Sequence, residues 1–476
     1  MSTETVQGGQ AFDLSLGESA EFRLPNGQTR RLTLIALREE PDRIRGVVRR
    51  PAALVEVDGE RVELVAGHYH LPTIVRGVKI ACSVTRGIAQ ALLVYQDIHA
   101  LDKDARLRCW APTAPLFGPQ PLVYPVRQTW FASMTQLGNE RTYVDAGELT
   151  LNDPARRHIY YHYGVDLGGY DKAVPVVAAA AGRVVRRADD WAADEPRDEN
   201  PRDDVVNLRD AAGWRYRYSH LDMIADSVRV GGEVGAGDLI GFLGKKGSSG
   251  GWSHLHFGIR GPQPSGRTGE IEAWPYVVEA YLHEHPGALL ACARPHRVAG
   301  VGETVELDAS LSLCDGGRIT AYAWHFQDGD TAAGPVVHRT YAREGMYSER
   351  VTVTDDRGRT EVDFCVVQIL PPDADPARTP PTLHLTYYPT QDLRPGQPIA
   401  FKARAFIRGP FAANQGGEEH WDFGDGTTAR TCSNDEFAER WHAYATPGRY
   451  VVTVQRTGLN GISATAQLKV DVGGGA

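Results

Sequence analysis

The chain has 476 residues, 42% of them hydrophobic and 23% charged, with a formal net charge of −9. This balance excludes a disordered, collagen-like or coiled-coil chain, and no apolar run reaches the length a membrane-spanning helix needs. An acidic excess without a basic stripe excludes a dominant nucleic-acid footprint, and six cysteines without a Cys-x-x-Cys pair exclude a disulfide scaffold and a thiolate zinc site.

Length predicts about three or four domains. The 51 Gly and 29 Pro, with few long helical patterns, predict a mainly β, multidomain chain. Residues 1–120 read as a β-rich N-terminal module with no legible function. Ser2 to Gln10 is polar and lacks a basic n-region and an apolar h-region, so no secretory signal peptide is visible. Arg31 to Leu37 alternates as a strand does. Val55 to Leu64 sets Asp58-Gly59 between two strand-like pieces, which predicts a hairpin.

Residues 121–287 carry the chemistry. Within them the acidic run Ala188 to Asp204 reads as a solvated surface insertion. Trp274-Pro275 opens a short helical stretch, Tyr276 to Glu284, which Pro286-Gly287 ends.

Residues 288–370 and 382–476 form a repeat, separated by a Pro-rich linker over 371–381 that favours an extended spacer. The first copy has Trp324-His325-Phe326 before Asp328-Gly329, and the second has Trp421-Asp422-Phe423 before Asp425-Gly426. In Trp-x-Phe both rings fall on one strand face and enter a sandwich core, while Asp-Gly supplies the turn. These segments resemble PKD domains, which implies two immunoglobulin-like β-sandwiches used for spacing, adhesion or substrate presentation. The first copy departs from the family at Gln327, where glycine is usual. Asp328, Asp330, Asp422 and Asp425 do not complete an EF-hand spacing. Cys292 with Cys365, near the ends of the first sandwich, and Cys82 with Cys109 are candidate disulfides.

Three stretches place histidine and aspartate on defined strand faces. In Tyr161 to Leu167, period two sets His162 and Asp166 on one face with Gly164 between them, leaving room for an occupant. In Ser253 to Ile259, Leu255, Phe257 and Ile259 face a core while His254 and His256 face the other way. In Trp214 to Leu221, His220 ends a face of Trp214, Tyr216 and Tyr218. Several imidazoles and a carboxylate on apolar backing suit a metal. Two neutral His and one Asp with an open fourth position suit Zn2+, and the same set also suits Fe(II) as a facial triad.

Together these motifs resemble the M23 (lysostaphin, LytM-type) zinc metallopeptidases, over roughly Arg156 to Ile259. The carriers are His162-Tyr163-Gly164-Val165-Asp166, Tyr218-Ser219-His220-Leu221 and His254-Leu255-His256-Phe257, with Gly182 to Val185 and Val230 to Gly241 matching the framework between them. The resemblance implies an antiparallel β core with a groove, a single Zn2+ held by His162, Asp166 and His256, and His220 and His254 as the non-ligand catalytic pair. It also implies cleavage of peptidoglycan peptides in the cell envelope or outside the cell. One histidine of the pair serves as general base and proton donor and the other binds the developing oxyanion. Tyr160, Tyr161 and Tyr218 are further candidate donors to the oxyanion, although alternating aromatics usually build a core.

Competing motifs fail. His283-Glu284-His285-Pro286-Gly287 lacks the second ligand of His-Glu-x-x-His. Gly244-Lys245-Lys246-Gly247-Ser248 lacks P-loop spacing, and Gly247 to Gly251 reads as a flexible groove-edge loop. The alternative to a peptidase is a non-catalytic wall-binding, divisome-regulating or adhesive scaffold protein that keeps the fold. The N-terminal module, placed before the catalytic segment, is a candidate to occlude the groove by lending a ligand to the metal.

Overall fold

Alternating residues in the first segment build two four-stranded antiparallel sheets in the computed structural model. The structure describes residues 7–40, 48–90, 98–130, 144–145, 159–160, 162–197, 201–371, 380–406, 417–433, 436–458 and 461–473. One sheet runs in the order Gln10–Leu14, Ala105–Trp110, Val78–Thr85, Thr73–Val75; the other in the order Ser19–Arg23, Thr29–Arg38, Ala52–Val57, Glu60–Val65. Their inward residues, among them Leu32, Leu34, Val55, Val78, Ile80 and Leu107, form one core. Asp58-Gly59 joins Ala52–Val57 to Glu60–Val65 with φ of 45° and 83°, the positive pair that a two-residue hairpin turn requires.

The middle segment is centred on a sheet in the order Val165–Gly168, His254–Pro262, Arg215–Ser219, Val206–Arg209, Gly182–Arg187, Asp190–Trp191. A second, three-stranded sheet has the order Pro175–Val177, Leu239–Leu243, Leu221–Ile224. Leu255, Phe257 and Ile259 alternate into the core, where they meet Val165, Leu167, Tyr216 and Tyr218. The helix Trp274–Glu284 packs on the same core through Trp274, Tyr276, Val277 and Tyr281. This core does not stop at the segment's ends: Tyr69, Trp110 and Phe117 enter it from before, and Leu290, Cys292 and Ala400 from after.

The last two segments are sandwiches. The first encloses Trp324 and Phe326, the second Trp421 and Phe423, so each Trp-x-Phe pair lies on one buried face. Trp324 donates its indole N–H to Gly334 O (3.1 Å) and Trp421 donates to Thr431 Oγ1 (2.8 Å). The two sandwiches share a nine-stranded sheet in which Gly345–Asp355 and Ser463–Val472 pair in parallel at Met346 and Ala464. Most of the Pro-rich linker, residues 372–379, lies outside the described residues.

No disulfide joins the cysteine pairs that position had suggested. On adjacent strands Ile80 faces Cys109 and Cys82 faces Leu107, so those two cysteines are offset by two register positions. The thiol of Cys365 points at the carbonyls of Pro295 and Val366.

Candidate metal centre

The sheet register brings the histidine motifs together. Asp166 lies directly opposite His256 on the neighbouring strand, and Ser219 lies opposite His256 on the other side. His254 and His256 point away from the core because Leu255, Phe257 and Ile259 point into it.

His162 arrives differently from the extended path that period two predicts. The strand starts only at Val165, and Gly164 turns the chain with φ of 77°. The turn swings His162 back onto Asp166. The space beside Gly164 is taken by His256: a Cβ there would lie 2.8 Å from Phe257 O and 3.0 Å from the His256 ring. Glycine is needed for both the left-handed backbone and the close approach.

Three donor atoms converge. His162 Nε2 is 3.2 Å from His256 Nδ1 and 3.1 Å from Asp166 Oδ1, and His256 Nδ1 is 3.0 Å from Asp166 Oδ1. Among the described residues these three form a cluster of metal-type donors. Burial pushes the Asp166 carboxyl up, but the imidazoles of His162, His254 and His256 together hold it well below the usual range. Burial pushes His254 well below an ordinary imidazole and His256 down to about 4, so both rings are neutral near pH 7 and keep a lone pair.

His220 and His254 stand beside this cluster, with ring centroids 4.6 Å apart, and His220 is 6.1 Å from His256. His220 Nδ1 faces Lys246 O at 2.8 Å, and His254 Nδ1 faces Trp252 O at 3.1 Å. A carbonyl can only accept, so Nδ1 is the donor in both contacts; His220 Nδ1 also lies 3.3 Å from Asp204 Oδ2, and His254 Nε2 lies 3.5 Å from Asp166 Oδ2. His220 adopts a φ of 69°, and its backbone N–H donates to Asp204 Oδ2 at 2.9 Å.

Asp204 is the residue that sequence reasoning missed. It closes the acidic run, in which Asp189, Asp190, Asp194 and Asp203 are exposed while Glu195 and Asp204 are buried. Asp204 is fully buried and accepts two hydrogen bonds of 2.6 Å from Arg202. Glu195 is buried against Arg209 and Arg215, and Asp194 pairs with Arg183 and Arg209. Asp194 and Glu195 meet arginines of the strands Gly182–Arg187, Val206–Arg209 and Arg215–Ser219, which composition alone does not show. Asp198 and Glu199 lie outside the described residues, as do Tyr161 and the side chain of Tyr160. Tyr218 is a core residue whose hydroxyl accepts from Ala179 N at 2.7 Å.

Other segments border the site. His68 of the N-terminal segment touches the His162 ring edge-on (5.9 Å), while its Nδ1 meets Glu272 Oε1 at 2.5 Å. Among the described residues the donor cluster therefore takes no ligand from that segment. On the other side Trp252 stacks on His254 at 3.7 Å. The loop Gly247 to Gly251 is pinned, with Ser249 Oγ donating to Lys245 O (2.6 Å) and accepting from Gly251 N (3.1 Å).

Comparison with known families matches three stretches of the chain. Residues 160–267 match peptidase family M23, and residues 289–369 and 384–472 each match the PKD domain. The pre-pro-metalloprotease PrtV of Vibrio cholerae is 32% identical over 69 residues, 14% of this chain; the match spans 8% of that relative's length. Among solved structures, the catalytic domain of the prophage-encoded M23 protein EnpA from Enterococcus faecalis is 24% identical, covering 23% of this chain and 74% of that one, with a TM-score of 0.17. Helicobacter pylori Csd3 is 18% identical, covering 50% of this chain and 57% of that one, with a TM-score of 0.21. The chain thus carries a peptidase family M23 domain, followed by two PKD domains.

Proposed function

We propose that this chain is a zinc-dependent endopeptidase that hydrolyses peptide bonds in bacterial cell-wall peptidoglycan, in cross-bridges or stem peptides, at the cell envelope or outside the cell. His162, Asp166 and His256 are the proposed ligands. The observation that carries the reading is their convergence: three donor atoms 3.0–3.2 Å apart from two imidazoles and one carboxylate. Donors about 2.0–2.1 Å from one zinc ion at tetrahedral angles lie about 3.3 Å apart, so the donor set and its spacing fit. Bound there, the ion supplies Lewis acidity, which acidifies water and polarises a carbonyl.

The chain's own residues do the rest. His220 and His254 present Nε2 with its lone pair, because the loop carbonyls hold the proton on Nδ1. One of the pair takes the water proton and returns it to the leaving amine. The other donates to the developing oxyanion from its imidazolium form, whose extra proton comes from solvent and returns to it. Asp204 holds the backbone of His220 in place. The peptidoglycan substrate rests on the M23 match and on the motif set.

The test is a panel on the full chain. His162→Ala, Asp166→Ala and His256→Ala are expected to lose zinc, and His220→Ala and His254→Ala to keep it while activity on purified muropeptides drops by about 100-fold or more. Full zinc stoichiometry in His256→Ala would refute the ligand assignment. Muropeptides left intact by the wild-type protein with zinc bound would instead favour a wall-binding protein that keeps the fold.

A further inference from the structure

The groove-edge segment Lys245 to Trp252 supplies both carbonyls that face the non-ligand histidines, Lys246 O for His220 and Trp252 O for His254. Its outer side is held by the second PKD domain. His384, on the strand Thr382–Tyr388, stacks on the face of Trp252 at 5.2 Å and 24° between planes. Trp252 in turn stacks on His254 at 3.7 Å and 15°, so the indole meets one imidazole from each domain. Arg404, on the paired strand Ile399–Phe406, donates Nη1–H to Gly251 O at 2.8 Å. Lys245 Nζ reaches Glu436 at 2.6 Å and lies over the Phe437 ring. A second anchor lies nearby, where Lys402 donates to Asp171 at 2.7 Å and sits over Tyr170.

We propose that the second PKD domain is a built part of the catalytic centre, in which His384 and Arg404 are positioning residues that hold the Lys245 to Trp252 segment, and with it the Trp252 indole stacked on His254, beside the catalytic pair. A loop fastened only from the catalytic side carries its carbonyls as loosely as its own short-range bonds allow. Here a stack and a hydrogen bond from another domain meet the two residues, Gly251 and Trp252, that lead into His254. A stack adds to what burial alone supplies, and a positioned base loses rate steeply when displaced. The proposal rests on His220 and His254 being the catalytic pair.

The experiment compares the full-length wild-type protein with His384→Ala/Arg404→Ala and with the conservative pair His384→Phe/Arg404→Lys. Three quantities are measured: zinc content, kcat and KM on muropeptides, and amide hydrogen exchange over Lys245 to Trp252. The alanine pair is expected to retain zinc, to hold KM within about twofold and to lose about tenfold or more in kcat. Its Lys245 to Trp252 amides exchange faster than those of the wild type. The conservative pair, which keeps a flat ring and a donor, restores both readouts. Unchanged exchange in the alanine pair overturns the proposal, whatever its activity. A wild-type protein that cleaves no muropeptide would count against the peptidase reading alone, because the exchange in the alanine pair is read without turnover.

Discussion

Replacing Gly164 by alanine separates backbone strain from damage to the donor cluster, because the chain contains its own control. Gly164 and Gly213 both have positive φ, 77° and 85°. A Cβ at Gly213 meets nothing within 4 Å, whereas at Gly164 it would lie 2.8 Å from Phe257 O and 3.0 Å from the ring of His256. Both substitutions carry the left-handed cost of an L-residue, about 1–2 kcal/mol. Gly164→Ala must also displace a backbone carbonyl in the sheet or the His256 imidazole. The carbonyl belongs to the strand whose register sets Asp166 opposite His256, so either movement widens the 3.0–3.2 Å donor triangle. Disturbing the support of a metal ligand weakens affinity by about 10–100-fold, or about 1.4–2.7 kcal/mol. Zinc competition against a chromogenic chelator and urea unfolding of the zinc-free protein measure the two effects. Gly213→Ala is expected to lose stability with zinc affinity intact, and Gly164→Ala to lose both. Equal zinc affinities in the two variants would refute the reasoning.

Two further predictions concern the sandwiches. Burial pushes Glu349 up to about 7, while Gln327 N–H, the Tyr341 hydroxyl and Arg339 oppose the shift and Asp328 adds to it. The folded state thus keeps a proton that the unfolded chain releases from about pH 4.5. Stability is fully present below pH 4.5 and falls by roughly 3 kcal/mol as pH rises to 7. Glu349→Gln is expected to flatten that slope in urea titrations, and an unaltered slope would assign it to another group. In the second sandwich Arg456 and Glu419 face each other across paired strands, fully buried, with Ser433 N–H also bonded to Glu419. Arg456→Met alone leaves a buried carboxylate and is expected to cost about 3–5 kcal/mol, whereas Arg456→Met/Glu419→Leu costs far less. Denaturant midpoints for both variants decide the point, and equal losses would contradict it.

What could be read from the sequence was what local periodicity encodes. His254 and His256 share a face because Leu255, Phe257 and Ile259 share the other, and each Trp-x-Phe pair enters a core for the same reason. Asp58-Gly59 and Trp274-Pro275 announce their turn and helix through backbone chemistry. The path through Gly164 was not legible, since alternation extended too far toward the N-terminus and a glycine permits a turn without announcing it. Asp204 was hidden by its own neighbours: in a run of acids in which Glu195 is buried too, it is set apart by Arg202 and His220, and the latter lies 16 positions away. The packing of His384 on Trp252 joins residues 132 positions apart in different domains, and no periodicity reaches across that distance.

His220 sits at the single residue between Arg215–Ser219 of the large sheet and Leu221–Ile224 of the small one. The imidazole therefore rides on the corner where the chain leaves one layer for the other. At this crossing a slip of the layers against each other acts through the backbone torsions of His220, which aim the ring. Leu221, paired with Leu243 in the smaller layer, thereby ties the packing of that layer to the aim of the imidazole.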